Sequence, residues 1–271
     1  MQSTSGDELL MSVLNGIGDM VDKWLRLQQI GQPPYYRHKT AALALSDRTI
    51  SIYGTEKFLT DAYNRIHKNW CNAVSAGESS YSQENWRWKR HLETSEANES
   101  AEVPLERAIV SALGENWSNQ MPTASGLVGS LEDRRSCVDL VWRKDPDSYS
   151  FFELKVESDN PLFAAIEILL YGLLFVWSRN NQAELEYDTE IQPVLRASKI
   201  ELCSLAPRKF YQEFYLRNLS DALNQGLSTF QYRRDLELSF NFVQFNSTIN
   251  SASEPEKIVA AIENRRSIWT S

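Results

Sequence analysis

An α/β fold, a mixed sheet flanked by helices, is what this 271-residue chain predicts, on three observations. From residue 104 onward, helical and strand-like patterns follow one another as helix, strand, strand, helix, strand, helix, strand. The run Phe151-Phe152-Glu153-Leu154-Lys155-Val156 alternates as a strand does. Phe152, Leu154 and Val156 therefore face one way, and Phe151, Glu153 and Lys155 the other. The longest apolar run, 162–177, is short of a membrane span and contains Glu167, so it reads as a buried core helix.

The N-terminal part supplies other elements. Leu10, Val13, Leu14, Ile17, Val21, Trp24 and Leu25 keep helical spacing across 7–30. Gly31 and Pro33-Pro34 then stop that helix. Segments 41–45 and 49–53, flanking Ser46-Asp47-Arg48, predict a hairpin. Thr55 is placed to cap a helix over 56–74. Residues 75–102, rich in Ser, Glu and Asn, read as a long solvated connection. Within it, Trp86-Arg87-Trp88-Lys89-Arg90-His91 has two readings. It could stack bases and meet phosphates, or form a short edge strand with tryptophans inward and cations outward.

Pro104 suits the first turn of a helix over 104–113, and 114–131 reads as a loop. Strands over 136–142 and 151–156 follow, joined by the turn signal Arg143-Lys144-Asp145-Pro146-Asp147-Ser148. Asn160-Pro161 opens the apolar helix, and 199–205 is a further strand. Pro207 starts a predicted helix reaching Leu223, 236–245 alternates as a strand, and 254–266 is a terminal helix.

Charged residues make up 24% and hydrophobic ones 42%, which fits an ordinary globular protein and argues against extended disorder. A net charge of −8 argues against a general nucleic-acid coating protein. It leaves room for an enzyme that meets nucleic acid through a local cationic strip and a divalent ion. The three cysteines, Cys71, Cys137 and Cys203, form no Cys-x-x-Cys pair, which disfavours zinc. Cys137 and Cys203 fall in predicted strands and are expected to be buried thiols. That cysteine usage, with no basic leader before the first apolar stretch, leads to the expectation of a cytoplasmic protein without a membrane segment.

The chemistry concentrates on two neighbouring strands. Asp139 stands on the first, and Glu153 and Lys155 on the second. Two carboxylates about 4 Å apart repel by roughly 4 kcal/mol at an effective dielectric of 20. A lysine relieves part of that and a divalent cation relieves more. Magnesium wants such hard oxygen ligands, to which the Leu154 carbonyl could add. Lys155 would then hold a water or stabilise developing charge. Acting as a base would need a depressed pKa, whereas neighbouring carboxylates push it up. The competing reading of the trio is a surface ion pair on an exposed strand.

These residues, Val138-Asp139-Leu140, then Phe152-Glu153-Leu154-Lys155, then an apolar helix, resemble the PD-(D/E)xK nucleases of restriction-endonuclease-like fold. That core is helix, three-stranded meander, helix, strand. The resemblance covers 104–205, leaving 1–102 as a largely helical N-terminal extension and 103–271 as a nuclease-like core with C-terminal additions. It implies that Asp139 and Glu153 bind Mg²⁺ (or Mn²⁺) and that Lys155 is the catalytic lysine. Glu106 on the first core helix is the best match to a further metal-binding glutamate, with Glu102 as the fallback. The alternative for Glu106 is a solvated residue favoured by the helix dipole. Some relatives carry Gln-x-x-x-Tyr on the next helix, and here Glu167 and Tyr171 keep that spacing. Both could look at the site, with Lys155 or Arg135 as the partner Glu167 needs, or they could be a peripheral glutamate and a packed tyrosine. Arg134 and Arg135 precede the Asp139 strand and could contact a phosphate backbone or form a loop charge pair. The implied activity is metal-dependent cleavage of nucleic acid, with DNA the expected substrate and a homodimer a common arrangement. The alternative is a non-catalytic binding module on the same fold.

Overall fold

Alternating apolar side chains along four strands give this chain a sheet that buries both faces. The computed structural model describes residues 12–27, 32–45, 50–80, 82–93, 100–129, 133, 136–156, 159–246 and 248–270. Its strands are β1 (Trp117–Pro122), β2 (Cys137–Asp145), β3 (Ser148–Leu154), β4 (Lys199–Pro207), β5 (Glu237–Phe245) and β6 (Arg266–Ser267), ordered β1-β2-β3-β4-β5-β6 in one mixed sheet. The first three run antiparallel. β3, β4 and β5 are mutually parallel, and β6 returns antiparallel. Parallel neighbours need crossover connections. Helix α5 (Pro161–Asn180) supplies one between β3 and β4, and α6 (Arg217–Thr229) supplies one between β4 and β5.

One face of the sheet carries Val141, Phe151, Leu202 and Phe242 in a core shared with α5, α6 and the N-terminal helices α1 (Ile17–Trp24), α2 (Lys39–Leu43) and α3 (Ile52–Ser75). The other carries Leu140, Phe152, Leu154, Leu205 and Phe245 against α4 (Glu102–Leu113) and α7 (Pro255–Glu263). The alternation expected across Phe151 and Phe152 is thus observed. All eight tryptophans are at least partly buried, so they form no exposed patch.

Helix α5 is long and apolar enough to cross a membrane, but most of it lies inside the protein, as the core-helix reading expected. Asn160 caps it, its Oδ1 accepting the N–H groups of Leu162 and Phe163 at 3.0 Å each. Pro161 fills the first turn, where no N–H is missed. Gly172 lets the helix sit close on β4, since a Cβ there would lie 2.5 Å from Leu202 Cδ1.

Several expectations are corrected. The hairpin is absent from the described part of its span: 41–43 lie in α2 and 52–53 in α3, while 46–49 lie outside the described residues. Ala41, Ala42 and Leu45 are buried at helical spacing, and alanine has little strand preference. Ser51, not Thr55, caps α3, its Oγ accepting Gly54 N–H at 3.2 Å. The helix expected over 7–30 is observed only as α1, and Arg26 in a left-handed conformation (φ 51°) ends it early. Residues 1–11 and 28–31 lie outside the described residues.

The helix expected from Pro207 does not form there. Tyr211 is drawn under the sheet, where its hydroxyl donates to the Ser204 carbonyl at 2.7 Å, so α6 starts only at Arg217. β3 ends at Leu154 rather than Val156, and the terminal helix ends at Glu263. Cys137 is half-buried, whereas Cys203 is buried as expected.

The expected loop over 114–131 holds β1, whose sequence is too polar to alternate. Its Ser118 and Asn119 are buried because they bind the 86–91 segment. Ser118 Oγ donates to the Lys89 carbonyl, and Asn119 exchanges hydrogen bonds with His91 N–H (2.8 Å) and C=O (3.0 Å). The 86–91 segment is not a strand. Trp86 takes a left-handed φ of 60° and is fully buried against Phe151 and Phe175. Its inward tryptophan agrees with the packing half of the edge-strand reading.

Candidate active site

The site forms where two strands part. β2 and β3 pair as far as Leu140↔Phe152. Beyond that point β2 continues against β1 (Val138↔Met121) and β3 against β4 (Glu153↔Ser204). Asp139 enters this fork, and its Oδ2 accepts the Leu154 N–H at 2.8 Å. Lys155 follows the end of β3, held by its N–H to the Leu205 carbonyl at 2.9 Å.

Glu153 and Lys155 are 3% and 5% exposed, which excludes the surface ion-pair reading. Lys155 Nζ contacts Glu153 Oε1 at 2.7 Å, Glu167 Oε2 at 3.2 Å and Asp159 Oδ2 at 3.5 Å, and lies 5.5 Å from the centre of the Phe163 ring. Burial opposes the ammonium, but Glu153, Glu167 and Asp139 outweigh it and raise Lys155 above the ordinary lysine value. Lys155 is therefore held as a charged hydrogen-bond donor, a state that does not suit a general base. Glu153 Oε2 is buried without a hydrogen-bond partner among the described residues. Burial, Asp139 and Glu167 push Glu153 well above the carboxylate range against the pull of Lys155.

Glu106, on α4, is 1% exposed and so is not a solvated helix-start residue. Gln120 Nε2 donates to its Oε2 at 2.5 Å. Burial and the Asp139 charge raise Glu106 to about 9. Burial raises half-buried Asp139 to about 7, although Lys155 and the Leu154 N–H favour its ionised form. Glu102 Oε1 accepts the Val156 N–H at 3.3 Å, at the end of β3.

No family model, curated protein or solved structure matches this chain. What the site can do therefore rests on its own geometry. Asp139, Glu153, Lys155 and Glu167 converge, and Glu106 couples to Asp139 from the neighbouring helix. Tyr171 is 9% exposed and shares with Glu167 the wall of a cleft of about 470 Å³. Arg134 and Arg135 lie outside the described residues.

Two contributors were not anticipated. Gln120 sits within the expected loop. It takes a left-handed φ of 50°, and the pairs on either side, Asn119↔Leu140 and Met121↔Val138, put it across from Asp139. Asp159, four residues after Lys155, reaches its Nζ at 3.5 Å, a pairing that no periodicity announces.

Among the described residues, no three His, Cys, Asp or Glu side chains are already arranged as a metal cage. The donor chemistry nonetheless suits a hard divalent cation: Asp139 and Glu106 are carboxylates whose pKa values are both raised, Glu106 in part by the Asp139 charge, and Glu153 adds an orphaned buried oxygen.

This crowding predicts a pH dependence. Carboxyl groups whose folded pKa is raised stabilise the fold fully only below their unfolded values near 4. That contribution is lost as pH climbs through about 7 for Asp139 and about 9 for Glu106. Without divalent ions, the melting temperature should fall between pH 5 and 9 by about 3 °C or more. Glu106→Gln should flatten that fall, and an unchanged slope in calorimetry would refute the assignment.

Proposed function

We propose that this chain is a metal-dependent nuclease that hydrolyses nucleic-acid phosphodiester bonds, with DNA the expected substrate. The observation carrying this reading is the buried Lys155 ammonium, held among carboxylates from β3 and α5 beside the fork that contains Asp139. The order α4, β1-β2-β3, α5, β4 supports the finer reading of a restriction-endonuclease-like fold.

Asp139 and Glu153 would hold Mg²⁺ or Mn²⁺, with Glu106 as a third carboxylate. Such an ion supplies Lewis-acid polarisation and lowers the pKa of a water. Lys155 stays charged, so it donates hydrogen bonds to the negative charge that develops on the phosphoryl oxygens. Glu167 and Asp159 hold its ammonium in place, and Asp139 is oriented by the Leu154 N–H.

The alternative is a non-catalytic binding module on the same fold. It is favoured by the lack of a ready metal cage among the described residues and by the neutralisation of Glu153 by Lys155. Metal titration separates the two. With Mn²⁺ at a hundred times its dissociation constant, the enzyme should gain about 2.7 kcal/mol of stability. Asp139→Asn should lose most of that gain together with cleavage of DNA. A protein indifferent to the metal, and cutting neither DNA nor RNA, would be the binding module.

A further inference from the structure

Lys155 lies between the walls of two clefts. Its Nζ bridges Glu167, on the wall of the 470 Å³ cleft, and Asp159, on the wall of a second cleft of about 300 Å³. Spaces of this size are of small-molecule scale, so each accepts a nucleotide of a single strand rather than a duplex. The ammonium itself, on a residue 5% exposed, is too recessed for the backbone of an intact double helix.

The rims of both clefts carry cations beside aromatic rings, and one short piece of the N-terminal extension supplies the cations. Arg37 lies on the first cleft, its guanidinium 5.1 Å from the Phe163 ring centre, with Tyr36 alongside. Lys39 lies on the second, 5.9 Å from the Phe214 ring centre and paired with Glu213 at 2.5 Å. This piece is latched to the core, because the Arg37 carbonyl accepts from Asn160 Nδ2 at 2.9 Å and Asp22 accepts the N–H groups of Tyr35 and Tyr36 at 2.7 and 2.9 Å. Cations that track a backbone, interleaved with rings that stack bases, are what a single strand binds. The acids on the same walls, Glu167, Asp159 and Glu213, confine that attraction to the rims.

Resting on the nuclease reading, we propose that the substrate is single-stranded nucleic acid, which threads past Lys155 from one cleft to the other with Arg37 and Lys39 as its phosphate contacts.

The test is fluorescence anisotropy of a labelled oligothymidylate, on the wild type in EDTA and on Lys155→Ala with Mg²⁺. A blunt duplex serves as competitor. The single strand should bind at least about tenfold tighter than the duplex. Arg37→Ala/Lys39→Ala should weaken it by about tenfold and lower the salt slope by about 1.4, two single-strand phosphate contacts at about 0.7 each. Lys199→Ala, at the far end of β4 from the site, should change neither. Both substituted side chains point outward and the latch uses main-chain atoms, so the double variant should still fold. Single-strand-preferring binding that depends on Arg37 and Lys39 supports the track, even if the protein cuts nothing and the nuclease reading fails. Equal competition by duplex, no binding, or a double variant that behaves like Lys199→Ala overturns the track. Duplex cleavage at wild-type rate by the double variant overturns it while leaving the nuclease reading intact.

Discussion

Lys155→Ala should lower cleavage by about 10³-fold, a loss typical of removing one preorganised donor from a water-excluded site. The same substitution should also destabilise the fold. Glu153 is 3% exposed, and its Oε1 has Lys155 Nζ at 2.7 Å as its close cation. Breaking one side of a buried pair costs about 3–5 kcal/mol, because the remaining charge is stranded. Glu153 can recover part of that by protonating, since burial and Asp139 already push its pKa up. Activity and stability should therefore separate in the double variant Lys155→Ala/Glu153→Gln. Removing the second charge should restore most of the stability measured by urea unfolding, with no recovery of cleavage. If Lys155→Ala keeps cleavage within tenfold of the wild type while folding normally, the lysine has no chemical role and the site is structural.

Trp86→Ala should cost about 3–5 kcal/mol, the range for truncating a large buried aromatic. Trp86 has no exposed surface, lies 6.1 Å from Phe151 and 5.3 Å from Phe175 between ring centres, and its main-chain N–H donates to the Pro122 carbonyl at 2.9 Å. Its indole N–H has no partner among the described residues, which makes the truncation slightly cheaper than burial alone implies. The loss should reach the site as well, since Phe151 stands two residues before Glu153 on β3. A loss below about 1 kcal/mol in urea unfolding would show that the 86–91 segment contributes little to the core.

Both variants probe places that differ in how far sequence reveals them. Period-two alternation in β3 announced that Phe151 and Phe152 face opposite ways, because strand geometry alone fixes that, but not that Phe151, on the face of Glu153, enters the larger core. The Asn160-Pro161 start of α5 was equally legible, since cap and first turn are local chemistry. β1 was not. Its Ser118 and Asn119 are buried only because a segment some thirty residues earlier supplies hydrogen-bond partners. A polar strand satisfied by remote main chain looks, in sequence, like a loop.

For the site, residue type and spacing singled out Asp139, Glu153 and Lys155, and a helical offset of four singled out Glu167 and Tyr171. Spacing carries no burial, however. Whether Glu106 is solvated or buried depended on α4 resting against the sheet with Gln120 opposite, a contact between elements. The same is true of Asp159, and of the Arg37 and Lys39 rim brought over α5 by Asn160. Local sequence determined strands β2 to β5, the Asn160 cap of α5 and the identity of the charged groups, because those follow from backbone periodicity and short-range hydrogen bonding. Tertiary structure alone decided how deeply the charges are buried and which of them meet, because desolvation and ion pairing depend on chain segments distant in sequence.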